Sequence, residues 1–230
     1  MGDETRDRST DKSQSERTTG GINDVKRTFD RIAPHFAQTR PNAWEPVDQF
    51  INAYRGSIGV DIGCGNGRHA ELLANRTDCV IGIDLSREAL RQAQKRAVRN
   101  AFQLALIQAE ATTLPLASAS SDLIVYIATI HHIPSSTGRI ESLNEISRVL
   151  SADGRALVSA WSVTHEKFSR DRAFDTNISW TLPCGETVDR YYHIYDINEF
   201  RHDLDVSSLS VKRVFEEAGN CYGVVGPSEQ

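Results

Sequence analysis

Three groups of residues in this chain have the types and spacing to do chemistry. The first is VDIGCGNG (60–67), where a short apolar run breaks into Gly63, Gly65 and Gly67. Glycines at such a break let the backbone turn tightly and come close to a ligand. Asp61 stands before them, and Asp84 closes a second apolar run, IGIDLS. A carboxylate in that position can accept hydrogen bonds from both hydroxyls of a ribose. The second group is IVYIATIHHIPSS (124–136), an apolar run that ends in His131 and His132. The third is a scatter of cations and rings: Arg40 and Trp44 in TRPNAW, Trp161 in SAW, and Arg190, Tyr191, Tyr192 and His193 in one run.

The first group sorts among nucleotide ligands by its departures. A dinucleotide fingerprint would place glycine at position 68, where Arg68 stands. An acid ahead of the glycines suits a cationic, amino-acid-bearing ligand with no pyrophosphate. The loop therefore reads as a site for S-adenosylmethionine, a methyl donor. Glu110 and Ala111, in AEATTLPL, would lie beside the adenine, with Glu110 accepting from its exocyclic amine.

The elements that must hold these groups are legible in outline. Apolar runs expected as strands (58–62, 79–84, 102–111, 122–130 and 155–162) alternate with helical runs (68–76, 87–101 and 139–150). Such alternation implies right-handed crossovers and an α/β fold with a doubly wound, mostly parallel sheet. Residues 22–56 read as two short helices around a proline-rich bend, and SLSVKRVFEEAGNCYGVVG as two β segments turned at Gly219-Asn220. Residues 163–195 break the rhythm and are expected as a substrate-side insertion over the sheet. Residues 1–21 read as a disordered tail, leaving one domain over 22–230.

Composition narrows the classes. With 230 residues, 39% apolar and 25% charged, the chain is that of a globular protein. No apolar run reaches the roughly 18 residues of a membrane span, so no membrane partner is expected. Cys64, Cys79, Cys184 and Cys221 form no C-x-x-C pair, which argues against a zinc site or disulfide framework and for a reducing, cytoplasmic compartment. A net charge of −5 argues against indiscriminate nucleic-acid binding. One helix, SREALRQAQKRAVRN, nevertheless sets Arg87, Arg91, Lys95, Arg96 and Arg99 against a single acid. Such a stripe can follow an RNA backbone or simply face solvent.

VDIGCGNG, GIDLS, AEATTLPL, IATIHHI and RVLSADGRALVSAW together resemble class I S-adenosylmethionine-dependent methyltransferases, with their Rossmann-like seven-stranded sheet. FDRIAPHFAQTRPNAW, the histidine doublet, SAW and RYYHIY bring the likeness closer to the tRNA wobble-uridine carboxymethyl methyltransferases. That resemblance implies methylation of the carboxylate of 5-carboxymethyluridine in the tRNA anticodon loop, in a heterodimer with a small zinc-binding activator. It implies cofactor contacts from Asp61, Gly63, Gly65, Gly67, Asp84, Leu85, Glu110, Ala111 and Ala128. It also implies catalytic positioners in His131, Arg40 and Trp161, and substrate contacts from Trp44, His132, Arg190, Tyr191, Tyr192 and His193. No metal is expected in this chain. Family members usually carry Asp where Glu110 stands, and an Asn-Trp-Tyr-like strand where NCYGVV stands.

A carboxylate is ionised at neutral pH, its pKa being near ~4, so no strong general base is required. The task is to align oxygen, methyl carbon and sulfur, which calls for positioning groups. If the segment after residue 127 is extended, only one of the two histidines faces the cleft; by resemblance it is His131. A small-molecule methyltransferase would instead need a closed apolar pocket lined by 22–56 and 163–195. A noncatalytic S-adenosylmethionine-binding scaffold is the third reading.

Overall fold

The computed structural model describes residues 21–228, so the tail expected over 1–21 lies, Gly21 apart, outside the described residues. Two helices, α1 (Ile22–Thr39) and α2 (Glu45–Ala53), precede β1 (Gly56–Ile62), α3 (Arg68–Leu73), β2 (Thr77–Asp84), α4 (Arg87–Arg99) and β3 (Ala105–Gln108). Then come β4 (Ser121–Ile127), α5 (Ser136–Val149), β5 (Leu150–Trp161), β6 (Phe174–Thr181), β7 (Thr187–Ile194), α6 (Ile197–Val206), β8 (Leu209–Glu217) and β9 (Asn220–Pro227). Seven strands form one sheet in the order β3-β2-β1-β4-β5-β9-β8, parallel except for β9, which runs antiparallel to β5 and β8. This is the doubly wound, mostly parallel seven-stranded α/β architecture the sequence implies.

Strand order reverses between β1 and β4, and ligands collect beyond the carboxyl ends of strands at such a point. The central strands are apolar on both faces because helices cover both. Ile62, Ile124, Tyr126 and Val158 pack with Leu143 and Ile146 of α5 on one face. Val125 and Leu157 pack with Phe50 of α2 and Leu73 of α3 on the other. Helix starts follow local chemistry: Ser86, Ser135 and Asp196 cap α4, α5 and α6 by accepting from backbone N–H groups two or three residues on.

Four expectations take a different or more definite form. α1 is an 18-residue helix that runs through Pro34, so the bend shrinks to residues 40–44 and Pro46 sits in the first turn of α2. The third strand is four residues, not ten, because Phe102 and Leu104 pack into the apolar layer before the ladder begins. Residues 163–195 form a loop and then the β6–β7 hairpin, a separate two-stranded sheet. The basic stripe of α4 is partly neutralised, since Arg91 pairs with Glu88 and Arg96 turns to Glu71 of α3.

At the amino end of β4, Asp122 accepts from the Ser57 and Ile58 N–H groups at 2.8 and 3.0 Å and from Ser151 Oγ at 2.9 Å. It thereby ties together β1, β4 and β5, whose far ends carry the site. The Ile58 N–H bond, despite partial burial, holds its carboxyl below the ordinary range. Stability from a depressed carboxyl is present above its unfolded pKa and lost as pH falls through the folded one. Asp122→Ala is expected to cost about 2 kcal/mol at pH 7 in denaturant unfolding, and the cost to shrink below pH 4.

Candidate active site

The cofactor half is built at the carboxyl ends of β1 and β2. Past Ile62, the N–H groups of Gly63 and Cys64 both donate to Ile83 O, at 2.7 and 2.9 Å, so the glycine turn folds back onto β2. Gly63 has φ of 68°, and a Cβ there would lie 2.2 Å from Thr129 Oγ1. Only glycine fits. Gly67 turns the chain into α3 with φ of 77°. Asp84 accepts from Gly65 N–H and Ser86 N–H, both at 2.8 Å, which fixes its carboxylate at the cavity edge. Burial pushes that carboxyl up to about 6.

Asp61 lies beneath this turn. Its Oδ2 accepts from Ala70 N–H at 3.0 Å, locking α3 to β1, while its buried Oδ1 has no partner. Burial pushes its carboxyl up to about 8. The residues present fit S-adenosylmethionine: two acids rather than a phosphate-binding base, a turn with no room for Cβ, and an unpaired buried acceptor below it. Gly63, Gly65, Asp84, Leu85, Glu110, Ala111 and Ala128 all line the cavity, whereas Asp61 and Gly67 do not. These two act through the loop they hold. Ala128 sits in the left-handed region at φ of 52°, which costs a non-glycine residue about 1–2 kcal/mol. Its N–H donates to Ser159, pinning the top of β4 to β5.

The acceptor half is built from the turn after β4, the end of β5, α1 and the hairpin. Residues Ile130–His132 form a 3-10 turn rather than an extended segment. Side chains about a third of a turn apart need not point opposite ways, and both histidines line the cavity. Their tautomers follow from their partners. His131 Nδ1 accepts from Trp161 N–H at 2.9 Å, so its proton is on Nε2. His132 Nδ1 lies 2.8 Å from Tyr191 O, a pure acceptor, so its proton is on Nδ1 and Nε2 is the lone-pair end. Burial holds both rings neutral, with His132 down to about 3 and His131 well below its ordinary value.

The remaining sequence-predicted residues divide. Arg40, Trp44, Trp161, Arg190 and Tyr192 line the cavity; Tyr191 and His193 do not. Tyr191 donates to Pro134 O and braces the histidine turn from behind. His193 lies between Asp175 and Glu199, at 2.7 and 3.1 Å, and joins the hairpin to α6. Trp161 is stacked on Tyr192 and on His165, and Trp44 lies under Arg68, so each ring already has protein neighbours. Sequence reasoning missed Trp180, Phe29, Phe36 and Lys167, which also line the cavity. The signal was present: Phe174, Thr176, Ile178 and Trp180 alternate along β6, and Val188, Arg190, Tyr192 and Ile194 along β7, around a Pro183–Gly185 turn.

A "Methyltransferase domain" family model matches residues 60–158. The tRNA (carboxymethyluridine(34)-5-O)-methyltransferase of Schizosaccharomyces pombe is 30% identical over 211 residues, covering 81% of this chain and 89% of that one. The chain belongs to that family. Mouse tRNA (carboxymethyluridine(34)-5-O)-methyltransferase ALKBH8 is 34% identical over 143 residues, 62% of this chain, and the match spans only 20% of that longer relative. Among solved structures, a chain of the complex between the Haloferax volcanii Trm112 methyltransferase activator and a methyltransferase superposes with a TM-score of 0.65. It is 16% identical and covers 90% of this chain and 98% of its own, a likeness of fold.

Gly63→Ala is expected to abolish S-adenosylmethionine binding in calorimetry while the sheet survives by circular dichroism. A second expectation concerns Asp61. A carboxyl whose folded pKa is raised contributes stability below its unfolded pKa, near 4, and loses it as pH rises through about 8. Asp61→Asn should therefore flatten the ligand-free protein's melting temperature between pH 4.5 and 8.5, where the parent protein declines.

Proposed function

We propose that this protein transfers the methyl group of S-adenosylmethionine to the carboxylate of 5-carboxymethyluridine at the tRNA wobble position, forming the methyl ester. S-adenosylmethionine, when bound, supplies an electrophilic methyl carbon on a sulfonium. The observation that carries the reading is the acceptor half of the cavity. It pairs cationic Arg40 and Arg190 with a neutral His131 whose Nδ1 is held by Trp161 N–H, and it offers no ionised base. A carboxylate nucleophile needs that set: donors to hold it, rings to surround a base, and nothing to deprotonate it. Family membership supports the same substrate.

His131 is assigned to donate to one carboxylate oxygen while the other faces the methyl carbon. Trp161 holds His131 through its backbone and closes the cavity against Tyr192. A small zinc-binding activator is assigned to the free edge of the sheet. β3 is the edge strand, with Ala105 and Gln108 exposed, and an open edge can take an added strand. Free Cys64, Cys79, Cys184 and Cys221 suit a reducing, cytoplasmic compartment. No helix among the described residues is long and apolar enough to cross a membrane.

The small-molecule alternative draws on a specific feature, since segments 22–56 and 163–195 do line the cavity. One assay separates the two: labelled S-adenosylmethionine is incubated with tRNA from cells lacking this protein, with and without co-expressed activator, and nucleosides are resolved by mass spectrometry. The expected product is the methyl ester of carboxymethyluridine; cofactor binding with no labelled nucleoside overturns the proposal. His131→Ala should lower kcat/KM roughly 10- to 100-fold, the worth of one bond to a charged group. Because His131 stays neutral, the parent rate should show no histidine ionisation between pH 6.5 and 8.5.

A further inference from the structure

Arg190 is a buried guanidinium without an anion. Its relative exposure is 6%, on the inner face of the hairpin that covers the cavity. Nη1 donates to Tyr192 Oη at 2.7 Å, and the guanidinium lies 4.9 Å from the Trp180 ring centre and 5.1 Å from that of Tyr192. Its Nε–H is buried with no acceptor, and among the described residues Arg190 forms no ion pair. Another cation, Arg40, acts on it and reaches the same Trp180 ring at 5.7 Å. A buried charge is normally paired, because leaving it unpaired forfeits its hydration for nothing. Arg139, equally buried, faces Glu199 and Asp203. Arg68, a second buried guanidinium without an ion pair among the described residues, donates to Asn42 O and lies over the Trp44 ring.

We infer that Arg190 is the anion receptor of the cavity, holding the substrate's carboxylate through its remaining Nη2 arm and thereby setting specificity for the acid over neutral 5-substituents. This rests on the functional reading above and assigns one of its contacts. The aromatic faces of Trp180 and Tyr192 keep the guanidinium in place while its charge waits for a ligand. Nη1 is occupied by Tyr192 and Nε is enclosed, so Nη2 engages one carboxylate oxygen and leaves the other free to attack. That oxygen takes the methyl carbon, the carbon–sulfur bond breaks, and its electron pair stays on sulfur. The carboxylate charge disappears with the sulfonium charge, and no proton moves. The product ester is neutral, so Arg190 loses its counter-ion at the moment of transfer. Substrate acid should therefore bind more tightly than product ester, which favours product release.

The test is an affinity ratio, measured on the full chain with its activator and with S-adenosylhomocysteine bound to block turnover. The probes are anticodon stem-loop RNAs carrying 5-carboxymethyluridine, its methyl ester or its amide. The parent protein is expected to prefer acid over ester and amide by roughly 10- to 100-fold, the range for a hydrogen bond to a charged group. In Arg190→Met the three RNAs should bind alike, with S-adenosylhomocysteine affinity unchanged as the check on folding. Arg190→Lys, which keeps the charge but not the planar fork, should restore part of the preference. Equal binding of acid and ester by the parent protein overturns this role for Arg190 while leaving the functional reading intact, and needs no variant to fold. Preference that survives intact in a folded Arg190→Met also overturns it. Failure of the parent protein to bind any of the three RNAs overturns the functional reading and this inference together.

Discussion

The hydrogen bond from Trp161 N–H to His131 Nδ1, 2.9 Å long, is the constraint on which the acceptor side of the cavity depends. It joins the turn after β4 to the last residue of β5, its parallel neighbour in the sheet. It also decides chemistry, since occupying Nδ1 forces the proton of a neutral imidazole onto Nε2. Burial supplies the other condition by keeping the ring uncharged. His132, one residue on, carries the opposite tautomer because its Nδ1 meets a carbonyl instead of an amide. Two adjacent histidines lining the same cavity thus carry their protons on opposite ring nitrogens. Neither is equipped to serve as a general base at neutral pH through a raised pKa.

How much of this was legible in the sequence follows from how local each signal was. The sheet, the glycine turn and Asp84 were readable because their cues lie within a few residues of one another: apolar runs, Gly63, and an acid at a strand end. The histidine doublet was noticed, but its geometry was not, since an extended segment and a 3-10 turn differ here by one left-handed residue, Ala128. The hairpin was read as irregular because its alternation is diluted by Asp175, Asn177 and Asp189 on the exposed face. Arg190 was visible as a cation, but its burial without a partner is a tertiary fact. So is the position of Asp61, whose place ahead of the glycines suggests a ligand contact. In the fold it clamps Ala70 of α3 and leaves the cavity wall to the glycines.

Charge is divided across the cavity in a way the proposed reaction can use. Acids, Asp84 at the edge and Asp61 below, belong to the side assigned to the methyl donor. Cations, Arg190 and Arg40, belong to the side assigned to the acceptor. Burial penalises charge on both sides: the Asp61 and Asp84 carboxyls are pushed up, and Arg190 is pushed down. A cationic donor relieves the first set and an anionic acceptor the second. Binding both is then favoured electrostatically over binding either wrong partner, because a neutral analogue leaves its half uncompensated.

The same division bears on turnover. A protein that held sulfonium and carboxylate each in a perfectly matched, solvent-poor site would stabilise the separated charges that transfer must annihilate, and so raise the barrier. The geometry limits that penalty. Arg190 has Nη1 committed to Tyr192 and Nε enclosed, so a single arm remains for one oxygen of a carboxylate. His131 offers a neutral N–H in place of a second charge. Positioning is therefore strong and charge compensation incomplete, which suits a reaction whose nucleophile is already ionised and whose only demand is alignment. After transfer both reacting groups are neutral, and neither Asp84 nor Arg190 faces an opposite charge any longer. The energetic drive for ligand exchange is thus built into the residues that line the cavity.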